Sequence, residues 1–599
     1  MGAEVIAIAV AALTPWAALL PLPGTLGLAS AVLAAIAAFH GWGAMVRRFA
    51  RTGEAPIVLV VHWGLAVLLS LAGVALLLHQ LGHTVQLGLV ISGLALHSGF
   101  LVVERQGYAA RVKVGLRSPD RWFWLVPAIG VVLVAMLHVL GTAADLNASP
   151  FDDDGNVPAQ LQRLWETGAL ADPVGYARSS QFGGHITASA LVTALTGTGW
   201  FRVVDGLGFV LLLWNAIAYL RPRAATTSLW AVLLILAAAS YPFVSTDATP
   251  RWLATSLLFA LFVTFERYAA REDDRELWPL GLLAGTVAVL RSELVPVGVA
   301  MLASAGLLAI GRSGGKARTF ALFVVPAVAI LPYVLGRYLS RSSVPGAVLD
   351  RAHGVGVPLL VFIALVVVAV WFALAILRGP SRWIAIAALA GVAAIVAQLT
   401  GQRPYAVQMV WPIVVGGGLA IGVGGLRDTP TAPRDMAVVL ALLAAVLIYD
   451  GRDATGRVRW SRRYSELASG IEYVRHAYPS PLRPSPYAAL LAKIPPGARV
   501  AVWVARPELV SARLHMIYDL RTPRSAGRRV PVLRALEPDY LLLEADHLPA
   551  ERSRRSLWHR LACPEDSSQA FCLDDLDSFV SGHAVVATEG IVRLVRLAP

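Results

Sequence analysis

The sequence predicts a polytopic α-helical membrane protein with a C-terminal extracytoplasmic α/β domain, and three observations predict it. First, 57% of the 599 residues are hydrophobic and only 15% are charged, with a mean hydropathy of +0.64, whereas a soluble chain carries about 25% charged residues. Second, apolar runs of about 15 to 22 residues, each long enough to cross a bilayer straight or tilted, recur from Ala3 to Ile448, about fifteen in all. Third, the composition turns Arg-rich, Pro-rich and polar beyond Asp450, which sets off a separate domain of about 150 residues.

The charges orient these helices. Arg47, Arg48 and Arg51, then Arg105 to Arg117, Arg221 and Arg223, Arg267 to Arg275, Arg312 to Arg318, Arg378 and Arg382, and Arg427 and Arg434 fall in short loops between apolar runs. Such loops stay cytoplasmic. The net charge of +13 is therefore a positive-inside signature, and its partner is the lipid bilayer and not nucleic acid. The first run has no basic flank before Arg47 and no cleavage site, so it reads as a retained helix and not a removed leader. The expected location is a bacterial inner membrane, crossed many times, with the C-terminal region outside.

Residues 1–120 read as additional N-terminal membrane helices. Their His62, His79, Gln80, His83 and His97 are scattered without a shared face and read as packing or interfacial groups. Residues 121–450 read as the core of the protein, with an external loop over 144–185 that is polar and Gly-rich; long loops between membrane helices are where a membrane enzyme keeps its chemistry. Ile186 to Thr196 is too short to span and reads as a half-inserted or surface helix. Residues 451–599 form the soluble domain, with a helix through Tyr464, Leu467, Ile471 and Val474 and strands at Arg499 to Val504, Tyr540 to Leu543 and Ile591 to Leu597. The only cysteines, Cys563 and Cys572, are expected to close a disulfide if that side is oxidising; a reduced pair is the alternative. No phosphate-binding loop, metal-ligand cluster or nucleophile elbow is seen in this domain.

Four features fall on the outer side. The triplet Asp152-Asp153-Asp154 follows the apolar run Trp122 to Leu140; mutual repulsion favours a raised pKa and a general base there, the alternative being a solvated loop with Asp154 capping a helix over Val157 to Trp165. Asp247 opens a later helix and reads as a functional acid, or as a cap paired with Arg251. Arg291 and Glu293 lie in a turn with almost no loop; an outer arginine runs against the charge rule, and an anionic phosphate would account for it, as would an ion pair with Glu293 or Asp247. Finally, Arg403 and Tyr405 open another helix at headgroup depth and suit a lipid phosphate or a plain interfacial anchor. His185, at the end of the external loop, is a helper candidate with a packing alternative.

This arrangement resembles the GT-C fold of polyprenyl-phosphate-sugar-dependent glycosyltransferases, with the protein mannosyltransferase and aminoarabinose transferase branches nearest in layout. The resemblance spans roughly Arg121 to Asp450 and rests on short motifs. It implies that Asp152 or Asp153 is the base, that Arg291 stands where the family carries an outer-turn cation, and that Arg403 and Tyr405 match its basic-x-Tyr turn. Two departures are the missing Gly-Pro after the outer-turn cation and the four extra helices. The expected activity is inverting transfer of a sugar from a polyprenyl-phosphate donor to a glycan, lipid or protein acceptor. Asp247 is expected to orient that acceptor or, second to that, to help bind a divalent cation such as Mg2+ or Mn2+. The competing classes are a transporter or flippase of a lipid-linked or anionic substrate, and a non-catalytic envelope scaffold.

Overall fold

The computed structural model describes residues 13–19, 24–104, 153–170, 183–195, 201, 203–220 and most of 251–342, isolated positions over 383–420, and, towards the C-terminus, most of 487–504, 515–519, 537–544 and 580–597. These form ten longer helices: α1 (Gly24–Ala50), α2 (Ile57–Leu77), α3 (His83–Val103), α4 (Asp153–Thr167), α5 (Gly184–Thr193), α6 (Val203–Leu220), α7 (Arg251–Arg271), α8 (Leu277–Leu290), α9 (Val295–Ala309) and α10 (Val325–Ser342). Among the described residues, the stretches Ser30–Ala50, Ile57–Leu77, His83–Val103 and Arg251–Arg271 are long and apolar enough to cross a membrane, and three shorter apolar helices accompany them. The described part is thus mostly helical with a small C-terminal sheet, the make-up of a membrane protein. The boundaries at residues 120 and 450 lie outside the described residues.

Helices α1, α2 and α3 meet at backbone contact. A Cβ on Gly43 would stand 1.7 Å from the Val60 carbonyl oxygen, and one on Gly64 1.6 Å from that of Phe39. Between apolar helices in lipid, small residues gain association by letting backbones approach. α2 is in turn the helix that joins this trio to the rest. Its Trp63 Nε1 donates to Thr264 Oγ1 of α7 at 3.4 Å, and Tyr333 of α10 donates its hydroxyl to the Leu69 carbonyl at 2.7 Å. Large apolar side chains left exposed, such as Phe323 just before α10, Val328, Leu331 and Leu335 on α10, and Val102 and Val103 on α3, are what a lipid-facing wall requires.

The bundle has two chemically different ends. At one, Arg47 of α1 pairs with Glu104 beyond α3. Arg267 and Arg271 of α7 meet the fully buried Glu276 at 2.6 and 3.6 Å, and Arg318 meets Asp274 at 2.8 Å. Arg267 also donates to the Glu54 carbonyl just before α2. This is the paired end. The chain crosses from it along α2, returns along α3, and runs back to it along α7 before leaving again along α8. At the far end the turn after α2 packs on the end of α4, with the Leu81 amide donating to Gly168 O at 3.1 Å.

In the C-terminal region the five strands β1 (Arg499–Trp503), β2 (Met516–Asp519), β3 (Tyr540–Glu544), β4 (Ala584–Glu589) and β5 (Val592–Arg596) form one sheet in the order β2-β1-β3-β5-β4. β2, β1 and β3 are parallel, while β5 runs antiparallel to both β3 and β4. The unbroken run Val500 to Val504 is buried on both faces, as parallel strands are. β1, β3 and β5 fall where the sequence predicts strands. β2 and β4 are additions.

Candidate functional site

The far end is built around the turn between α8 and α9. α8 runs 14 residues from the paired end, about 21 Å, while its neighbour α7 runs 21 residues, about 31 Å. The turn that carries Arg291 follows at the end of α8. Arg291 closes α8 in an extended conformation, φ −144° and ψ 114°; its amide donates to Val287 O at 3.2 Å and its carbonyl accepts from the Leu294 amide at 2.9 Å. The turn is as tight as its sequence predicts, and Arg291 within it is only 2% exposed. The fold thus keeps a guanidinium-bearing residue buried at the far end of the bundle.

His185 is brought to the same place. Gly183 adopts a left-handed φ of +92°, which turns the chain into α5. Gly184 then lies so close to α8 that a Cβ would stand 2.5 Å from Val289 Cγ1 and 2.7 Å from its carbonyl oxygen. His185, half-buried, follows directly, one helical step from the last turn before Arg291. α5 is 10 residues long, about 15 Å, too short to span. Its residues from Ile186 to Thr193 are all buried, so the expected surface helix is not what forms. Its other end is held where His83 Nε2 meets the Ala194 carbonyl at 3.0 Å.

Of the acidic triplet, Asp153 and Asp154 open α4. The helix begins at Asp153, four residues before the Val157 start expected from apolar periodicity. Asp153 and Asp154 accordingly belong to its first turn, where the helix dipole favours carboxylates, and Asp154 is not a cap. α4 ends at the far end of the bundle, with the Trp165 ring 4.4 Å from that of His83 and Gly168, at φ +73°, turned against His79. Asp152, Asp247, Glu293, Arg403, Tyr405, Cys563 and Cys572 lie outside the described residues.

One acid at this end was not singled out in the sequence. Asp205, in the first turn of α6 and 4% exposed, accepts the Trp252 amide at 2.5 Å and makes a longer 3.4 Å contact with the Leu253 amide, so it holds the first turn of α7. Gly208, one turn on, admits the α7 backbone, since a Cβ there would stand 2.1 Å from Leu253 N. Arg251, the first residue of α7, is 4% exposed. An acid and an arginine, each opening an apolar run, were the signal available.

The histidines of the first helices are not scattered in space. His40 Nδ1 and His97 Nδ1 meet at 2.9 Å across α1 and α3, and His62 spans from Val58 O at 2.7 Å to Ser256 Oγ of α7 at 2.6 Å. They are partnered packing groups, as expected. Among the described residues no three His, Cys, Asp or Glu side chains gather as a metal site. No protein-family model matches this sequence, and no curated protein aligns with it significantly.

Proposed function

We infer that this protein is a membrane glycosyltransferase of the GT-C type, which moves a sugar from a polyprenyl-phosphate donor to an envelope acceptor. The observation that carries this reading is Arg291: a cation 2% exposed, in a tight turn, at the end of the bundle opposite the ion-paired end. By the positive-inside rule the paired end is cytoplasmic and the far end extracytoplasmic, where the C-terminal domain also resides. A lipid phosphate is the anion available at that depth.

In this mechanism Asp153, or Asp152 in its place, takes the proton of the acceptor hydroxyl as its oxygen attacks the anomeric carbon. The bond from that carbon to the phosphate oxygen breaks, the configuration inverts, and the electron pair leaves on the phosphate. Arg291, with Arg403 and Tyr405, stabilises the negative charge that grows there. Asp247 orients the acceptor, while Glu293 and His185 set the polarity around the Arg291 turn.

A transporter of the same lipid-linked substrate is the second reading, favoured by α5, because broken helices beside an intramembrane site belong to transporters. The two differ in whether the sugar-phosphate bond breaks. The test compares envelope glycans and lipid-linked sugars from cells lacking the protein, complemented with wild type or Asp153→Asn at matched membrane levels. Transfer predicts that wild type restores a missing sugar while Asp153→Asn leaves its donor to accumulate on the outer leaflet. Accumulation on the inner leaflet in cells lacking the protein would favour transport, and full restoration by Asp153→Asn together with Asp152→Asn would overturn the base assignment.

A further inference from the structure

We propose that the junction between the start of α3 and the end of α4 is a carbohydrate subsite for the acceptor, with Trp165, His83 and Gln86 as its binding residues. The proposal rests on the glycosyltransferase reading above and narrows its acceptor to a glycan. Short contacts draw the junction together. The Leu81 amide donates to the Gly168 carbonyl at 3.1 Å, and a Cβ on Gly82 would stand 3.4 Å from the Trp165 carbonyl oxygen. The rings of His83 and Trp165 lie 4.4 Å apart, tilted by 43°. Gln86 follows His83 by three residues, on the same helical face, and its side-chain amide reaches back to donate to the Leu81 carbonyl at 2.7 Å.

Two polar atoms of this junction have no hydrogen-bond partner among the described residues. Gln86 is 0% exposed; its Nε2 is bonded, but its Oε1 is buried without a donor. Trp165 Nε1 is likewise buried without an acceptor. Leaving such a group unbonded costs about 1 to 3 kcal/mol. A tryptophan that only anchors a helix at the interface turns its N–H out to the headgroups, which the buried Nε1 of Trp165 does not do. His83 supplies a third polar atom of fixed kind. Its Nε2 meets the Ala194 carbonyl at 3.0 Å, so in the neutral ring the proton sits on Nε2 and Nδ1 is an acceptor.

One donor and two acceptors beside two half-buried aromatic rings complement a sugar. Each sugar hydroxyl donates and accepts at once, and the C–H face of the ring carries the slight positive charge that an aromatic face attracts. The two acceptors would repel an anion, and an apolar tail would leave all three atoms unbonded. The turn that leads into the junction is polar and strained. His79, at φ +55°, takes the left-handed position that closes α2, its amide donating to Leu76 O at 3.0 Å and the Gln80 amide to Ala75 O at 2.8 Å; glycine is the usual residue there. His79 and Gln80 are exposed and bring two more hydrogen-bonding side chains next to Leu81. Asp153 opens α4 and Trp165 lies about 18 Å farther along its axis. The sugar held here is therefore a unit of the acceptor chain beyond the one that reacts.

The test uses the full chain in nanodiscs and, as probe, fluorescently labelled oligosaccharides released from the envelope of cells lacking the protein. Wild type is expected to retain them. Trp165→Phe, which keeps a ring and removes the N–H, and Gln86→Met, which keeps the length and removes the acceptor, should each bind roughly threefold to tenfold more weakly. Trp165→Ala should bind more weakly still. With the same glycan as acceptor in turnover, Trp165→Phe should raise the acceptor KM by the same factor and leave kcat and the donor KM near wild type.

No retention by wild type overturns the proposal. Equal affinity per folded molecule in wild type, Trp165→Phe and Gln86→Met does so too, the result expected if the two atoms serve packing or bond a buried water. Transfer at an acceptor KM indifferent to Trp165→Phe removes the subsite and leaves the transferase reading standing. Retention that depends on Trp165 without any sugar transferred removes the transferase reading and leaves a carbohydrate site without a reaction. Should Trp165→Ala fail to reach the membrane, Trp165→Phe and Gln86→Met carry the comparison.

Discussion

The two ends of the helix bundle treat their arginines differently. At the paired end Arg47, Arg267, Arg271 and Arg318 each face a carboxylate of a neighbouring loop or helix, and Glu276 serves two of them. At the far end Arg251 and Arg291 are buried to 4% and 2% exposure, one at the start of a long helix and the other in a tight turn. The paired end does what ion pairs among helix ends do, fixing register and sidedness. The far end buries its arginines beside the short helix α5, and under the proposed function Arg291 there meets the donor phosphate.

The sharpest way to break this contrast is to remove the proposed base and, separately, the far-end cation Arg291. Asp153→Asn should lower transfer by about a hundredfold or more, the usual contribution of a positioned base, with the protein present at normal level. Arg291→Ala should cost roughly a hundredfold to a thousandfold in turnover per folded molecule, if it stabilises the leaving phosphate. Both are read as sugar transferred per unit of protein in the membrane.

A change at the paired end should do the reverse. Arg267→Ala leaves Glu276, which is 0% exposed, without its nearest guanidinium, and is expected to cost about 3 to 5 kcal/mol in stability with turnover per folded molecule unchanged. Thermal unfolding in detergent would check it. Glu104→Gln, which breaks a half-exposed pair, should cost about 1 kcal/mol or less by the same measurement. Gly184→Ala tests the junction of the two: pushing α5 off Val289 should lower transfer more than stability, because it moves His185 away from the Arg291 turn.

What the sequence makes legible follows from how local each signal is. Arg291 stands between two apolar runs, so both its turn and its oddity show without a structure. The runs around Val500, Leu541 and Leu594 mark β1, β3 and β5 for the same reason. β4 is exposed at nearly every position and β2 is four residues long, so neither carries the alternation that betrays a strand. The polar first turn of α4 has no apolar period to extend back to Asp153. Asp205 and the His40–His97 pair were hidden because their meaning lies in a partner far along the chain: Trp252 for the one, and for the other a parallel pairing of α1 with α3. Helix register between distant segments is a tertiary property, and periodicity says nothing of it.

The contrast between the ends is tested most directly by the lipid-linked sugar pool of cells carrying Arg291→Ala or Arg267→Ala in place of wild type, compared at equal membrane levels of folded protein. The account predicts that the donor accumulates with Arg291→Ala and stays at its wild-type level with Arg267→Ala. Equal pools in the two strains, whether both raised or both normal, would contradict it.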